Sequence, residues 1–342
     1  MSDNFLEPLS KRRRVAANAS SAGDVTLTTT NDESNESHHA PAATNDAQIE
    51  YILTEDGQIQ EHHMFEALGS ICNSLGRTIY MVHPEELGSM VYPAYTRKTA
   101  IEKSIEHCST ILLPILRRKK AEHWVLVVVS HNISRMYCAL YREDRVNDAM
   151  EGTNAFIDKY LQQSQFSPGK TLHQCACCVS KSNADSGICV LAFGMYVIAQ
   201  CSIPNQLPMD TWRLIMAYLL GFKDTSMAER NRLLSTRRLD DETFNAITAS
   251  GFIDKTKLKK HRDDADKFIT ESVEILDVLR KVRARMTESS GSSSRARTIR
   301  DRLELTINHL SGLEQRWNPR RDQLSRMLSN FESGMAAATD DA

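Results

Sequence analysis

Two short stretches of this 342-residue chain hold the residue types of an acyl-transfer site. The first is His123-Trp124, which opens the apolar run Val125-Leu126-Val127-Val128-Val129. The second, about sixty residues on, is Asn183-Ala184-Asp185-Ser186-Gly187-Ile188, which leads into an apolar run over 190–199. A nucleophilic hydrolase needs an oxygen or sulfur nucleophile, an imidazole to take its proton, a third group to orient the imidazole and a donor for the oxyanion. A nucleophile at a helix N-terminus also gains backbone donors and a field that favours its anion. Residue 186 has that position if the following run is helical. The same residues have a plainer reading, in which Asp185 or Ser186 caps a helix and His123 is a satisfied core histidine.

The elements that must position these groups follow from periodicity. Residues 109–116 and 124–129 are rich in Ile, Leu and Val and too short for helices, so they read as strands, with an exposed Arg117-Arg118-Lys119-Lys120 turn between them. Residues 134–141 and 171–179 give two more strands, 51–53 a short one. Helical spacing marks 65–75, 155–163 and 210–220, and 187–200 reads as a buried helix. Strands followed by an apolar helix predict an α+β domain, with helices packed on a central sheet.

The combination of His123-Trp124 before an apolar run, Pro114 upstream, and Asp185-x-Gly187-Ile188 downstream resembles the SUMO (ubiquitin-like protein) protease family, over roughly residues 50–222. The resemblance implies a papain-like cysteine protease fold: a central mixed sheet flanked by helices. It implies enzymes that process ubiquitin-like precursors and cleave isopeptide links. His123 then matches the general base. Trp124 matches the aromatic that lines the channel for a substrate's Gly-Gly tail, and Asp185 and Gly187 flank the nucleophile as substrate-binding positions. Three positions depart from the pattern. Ser186 stands where the family has its nucleophilic Cys. Cys138 (or Ala139, in a shifted register) stands where it has the orienting Asp, and Ser180, six residues before Ser186, where it has the oxyanion-hole Gln.

A serine hydroxyl is far harder to deprotonate than a thiol. Loss of an orienting Asp costs on the order of ten-thousand-fold in serine-protease triads, and loss of an oxyanion donor about a hundred- to a thousand-fold. Such losses do not simply multiply. The altered positions therefore predict a site close to inert, in a protein that binds a SUMO-type ubiquitin-like protein or its conjugates. The alternative is an active isopeptidase using Cys189 with His123, since Asn183 lies six residues before Cys189. Cys189 has no following Gly and falls inside the apolar helix, where a small core thiol is the ordinary role.

A third reading makes the carboxy-terminal helices the working part. Ile269, Val273, Leu276, Leu279, Val282 and Met286 form one apolar stripe. Ile299, Leu303, Ile307, Leu310, Leu313 and Trp317 form another, continuing to Leu324, Leu328 and Phe331. A Ser/Gly linker over 289–294 separates them, which predicts a helical hairpin or coiled-coil arm capable of self-association through 255–342. The divisions expected are a disordered basic tail over 1–47, the protease-like domain over 48–222, a helical connector over 223–254 and the arm over 255–342.

Composition narrows the class. A formal net charge of −2 argues against a nucleic-acid coat, and 41% hydrophobic residues support a substantial core. No apolar run reaches the length of a membrane span, and the opening residues are not a secretory signal. The eight cysteines are then expected as reduced thiols in a nuclear or cytoplasmic setting. The cluster His173-Gln174-Cys175-Ala176-Cys177-Cys178 lacks a second ligand pair at finger spacing, so no metal and no cofactor is expected. Lys11, Arg12, Arg13 and Arg14 form a basic run that reads as a nuclear localisation signal.

Overall fold

The computed structural model describes residues 46–54, 56–76, 78–83, 105, 107–117, 123–130, 133–139, 153–154, 158, 172–175, 182–222, 239–249, 254–289 and 294–340. The tail over 1–45, the expected helix over 155–163, most of the 223–254 connector and the 290–293 linker lie outside them. The described residues belong to a single compact unit.

The architecture is mixed α/β. Among the described residues, a five-stranded mixed sheet runs in the order β1 (Ile79–Met81), β2 (Thr110–Arg117), β3 (His123–Ser130), β4 (Ile133–Tyr137), β5 (Leu172–Gln174). β2, β3 and β4 are antiparallel neighbours, and β1 and β5 add parallel edges. β3 is apolar on both sides because both sheet faces are covered. Trp124, Leu126 and Val128 join the main core, while Val125, Val127 and Val129 join a second cluster with Ile111, Leu113 and Ile115. Three residues of β5 are described where 171–179 was expected, with 176–181 outside the description. β1 has no counterpart among the expected strands.

The strand expected at 51–53 is instead the end of a helix, α1 (Asp46–Ile52). Ile49 and Ile52, three residues apart, are both buried in the main core, a spacing that suits one helical face and not one strand face. Next come α2 (Glu61–Met64), a π-helical turn (Phe65–Gly69) and α3 (Ser70–Ser74). The apolar run after Ser186 forms α4 (Asp185–Ala199), buried at thirteen of fifteen positions, so it has no solvent face and reads as near-continuous hydrophobicity. It ends on Gln200 in the left-handed conformation at φ 57°. α5 (Met209–Leu219) packs beside it.

The chain continues through α6 (Asp241–Ala249) into two long helices, α7 (Lys255–Ser289) and α8 (Ser294–Asp340), which pair as a hairpin. The hairpin folds back on the sheet domain. Leu276, Leu279, Val282, Met286, Ile299, Leu303 and Leu310 belong to the same buried cluster as α4 and α5. Arginines complete the docking: Arg285 donates to the Ile198 carbonyl at the end of α4, and Arg302 donates to Leu219 O at the end of α5 (2.8 Å) and to Glu66 (3.0 Å). Last-turn carbonyls lack intrahelical partners, and a cation there also suits the helix dipole.

Candidate active site

β3 and α4 bring the two sequence stretches together. His123 is the first residue of β3 and is 2% exposed; Ser186 is the second residue of α4 and is fully buried. Ser186 Oγ accepts the Trp124 backbone N–H at 3.0 Å and donates its own proton to Asn183 O at 2.6 Å. The hydroxyl thus fastens the start of the helix to the start of the strand. Its proton is directed into the Asn183 carbonyl, within its own turn. The N-cap position belongs to Ala184, which makes no side-chain cap bond, so neither Asp185 nor Ser186 is the cap.

Trp124 is 3% exposed, and its indole N–H donates to Ile59 O at 2.8 Å. Gly187 lies beneath the same contact. A Cβ added there would come within 2.6 Å of Ile59 Cβ and 3.0 Å of Trp124 Cδ1, so this position needs the missing side chain for close approach. Asp185 forms an ion pair with Arg213 at 2.6 Å. Arg213, on α5, is only 2% exposed, and its other arm donates to Ile52 O (2.9 Å) and Gly57 O (2.7 Å). One guanidinium therefore joins α5, the start of α4 and the 52–57 turn. A buried charge is stable only when paired and hydrogen-bonded in this way.

Cys138 lies on the same face of the sheet as His123, and Cys189 inside the main core. Cys138 follows β4 and is buried in the second cluster with Val125, Val127 and Met136, on the sheet face away from Trp124. Continuing the β3–β4 register by one residue sets it beside Val125, two residues along β3 from His123. Ala139, the other candidate for that role, faces the main core. Cys189 is fully buried inside α4, with Sγ 3.8 Å from Met209 Sδ at the start of α5. Ser180 lies outside the described residues, as do Cys177 and Cys178. Among the described residues, no group of three or more His, Cys, Asp or Glu is placed to hold a metal ion. Burial pushes the Cys108 thiol up to about 11 and raises that of Cys72 further, so neither is a thiolate near neutrality.

Sequence reasoning missed Ile59 and Arg213. A signal for Arg213 was present: it is the one cation in the otherwise apolar stretch Trp212 to Leu220. A charge on a buried helix face demands a partner.

No protein-family model matches the chain, and no curated protein matches it. Remote likenesses occur among solved structures. A structure of the SUMO protease Ulp1 with its catalytic cysteine oxidized to a sulfonic acid is 13% identical, covering 49% of this chain and 80% of that one, with a TM-score of 0.41. The C-terminal Ulp1 protease domain in complex with Smt3, the yeast ortholog of SUMO, is 14% identical over 49% of this chain and 79% of that one (TM-score 0.39). A de-sumoylating protease is 10% identical over 82% and 93% of the two chains (TM-score 0.32). The chain is remotely similar in structure to SUMO proteases. Its own residues have to carry any functional reading.

Proposed function

We propose that this chain is a SUMO-protease relative that does not cleave, and that it holds a SUMO-type ubiquitin-like protein. The observation that carries the reading is the bonding of Ser186: its proton goes to Asn183 O, and it accepts the Trp124 N–H. A nucleophilic hydroxyl must instead hand its proton to an imidazole. The retained His123-Trp124 and Asp185-x-Gly187 frame supports descent from a hydrolytic site. The Cys189 thiol faces Met209 within the core, which favours packing over attack. Nuclear import through Lys11, Arg12, Arg13 and Arg14 belongs to the same proposal and is read by moving those residues onto a reporter.

The test pairs turnover with binding. A SUMO-type precursor incubated with the chain should stay intact, while titration with the mature protein should saturate. Cleavage that survives Ser186→Ala and is abolished by Cys189→Ala would restore the cysteine-peptidase alternative. A titration without any affinity would remove the binding reading.

A further inference from the structure

We propose that α6 is a pH-sensitive clip on the hairpin: it stays closed over His261 while that imidazole is neutral, and a proton taken up by the ring opens it.

The clip has charges at its rim and rings inside. Asp240 caps α6, its carboxylate accepting the Thr243 N–H at 2.6 Å and the Thr243 hydroxyl at 2.9 Å. Asp241, the first residue of the helix, accepts from both Arg316 and Arg320 of α8. The Arg320 guanidinium also lies over the rings of Phe244 and Trp317, 4.8 and 4.9 Å from their centroids. Inside, Phe244 of α6, His261 of α7 and Trp317 of α8 meet ring against ring. Their centroids are 6.5 Å apart for Phe244 and His261, 6.1 Å for Phe244 and Trp317, and 5.8 Å for His261 and Trp317. Phe244 is the buried residue of α6, so lifting the helix takes one ring off His261 and admits water.

Closure leaves two polar atoms unsatisfied. His261 is 3% exposed and Trp317 is fully buried, yet neither His261 Nε2 nor Trp317 Nε1 has a hydrogen-bond partner. Water meets both when α6 lifts. The gain is larger for a protonated ring, since both imidazolium nitrogens are donors and Nε2 has no acceptor in the closed joint. The charges facing His261 are divided. Asp264, one turn along α7, and Asp240 of α6 favour the imidazolium, while Arg320 of α8 opposes it. Lys257 of α7 and Arg321 of α8 are paired with Asp254 and Asp266. Burial outweighs the two carboxylates and, with Arg320, holds His261 below its ordinary 6.5. The rim does not titrate in the same range. Burial raises the Asp241 carboxyl, but the bonds and charges of Arg320 and Arg316 outweigh it and hold the group below its ordinary value. His261 therefore binds a proton more weakly with α6 closed than with α6 open. The closing contribution is fully present above 6.5 and is lost as pH falls through the depressed value.

The experiment follows amide hydrogen exchange over residues 244–249 in the full chain, with each rate divided by that of the unfolded chain at the same pH. Measurements at about pH 7.5 and about pH 5.5 bracket the ordinary histidine value. Protection should fall at least about threefold at the lower pH, as a proton that prefers the open state requires. His261→Phe keeps a ring in the joint and cannot ionise, so its protection should be the same at both values. His261→Gln replaces it if the phenylalanine variant loses its helical circular dichroism. A third arm needs no variant: the His261 ring of the unaltered chain, followed by NMR, should titrate below 6.5. Equal protection at the two pH values in the unaltered chain overturns the clip. A fall that persists without His261 overturns its role, and a ring that titrates at or above 6.5 overturns the cost of charging it in the closed joint.

Discussion

At Ser186 a hydroxyl stands at the second residue of α4, and its bonding shows what it does there. It joins Trp124 N, in a buried contact, to the partly buried Asn183 O. Ser186→Ala should therefore leave a buried N–H without its partner and lower stability by about 1–3 kcal/mol, measurable by urea unfolding. Arg213→Met leaves Asp185 and two carbonyls without their donor, and an expected loss of about 3 kcal/mol is checked in the same way. A third residue adds a pH dependence. Burial, aided by the neighbouring charge of His62, holds the His63 imidazole down at about 4, against an ordinary value of 6.5. The unfolded chain then binds the extra proton more readily between those values, so the contribution is fully present above pH 6.5 and is lost as pH falls toward 4. Its size is on the order of 3 kcal/mol. The urea midpoint should fall between pH 7 and 4.5, and His63→Gln should reduce that fall.

At the scale of elements, α4 carries the site because it is apolar all round and enters the core at its first residues. That same property made it legible in the sequence, together with α5 and the strands β2 and β3. The 51–53 segment was misread because three apolar residues in a row suit a short strand and a helix turn equally. The Ile49–Ile52 spacing was the better guide. β1 went unread because three residues offer too little periodicity to detect. The left-handed Gln200 gives an element-scale prediction. A non-glycine residue there costs about 1 kcal/mol, so Gln200→Gly should raise the thermal midpoint, with a gain of about 0.5–1 kcal/mol.

For the molecule as a whole, the hairpin α7–α8 is part of the domain's core. The stripes that suggested an arm for self-association are largely buried, against each other and against the helices of the domain, although Val273 remains 49% exposed. Arg285 and Arg302 then satisfy the carbonyls that end those two helices. Removing residues 255–342 should expose this apolar surface, and the shortened protein should aggregate or lose cooperative unfolding. A soluble, cooperatively folding 1–254 fragment in sedimentation and calorimetry would show the hairpin to be separable. Arg302→Ala should cost about 1–2 kcal/mol while leaving the fold intact.

The sequence by itself determined the core elements β2, β3, α4 and α5 and, through a family resemblance, the association of His123-Trp124 with Asp185-Ser186-Gly187. The elements are local patterns of residue type and period; the association rests on the resemblance alone. Only the tertiary structure decided that Ser186 bonds Trp124 from 62 residues away and that Trp124 bonds Ile59 across 65. The same holds for Arg213, which reaches back 161 residues to Ile52, and for the hairpin's choice of its own domain as packing partner. Burial creates these demands: an indole N–H, a guanidinium and an apolar stripe must each find a partner once water is excluded. Residue type announces the demand, but the chain's path through space determines which partner meets it.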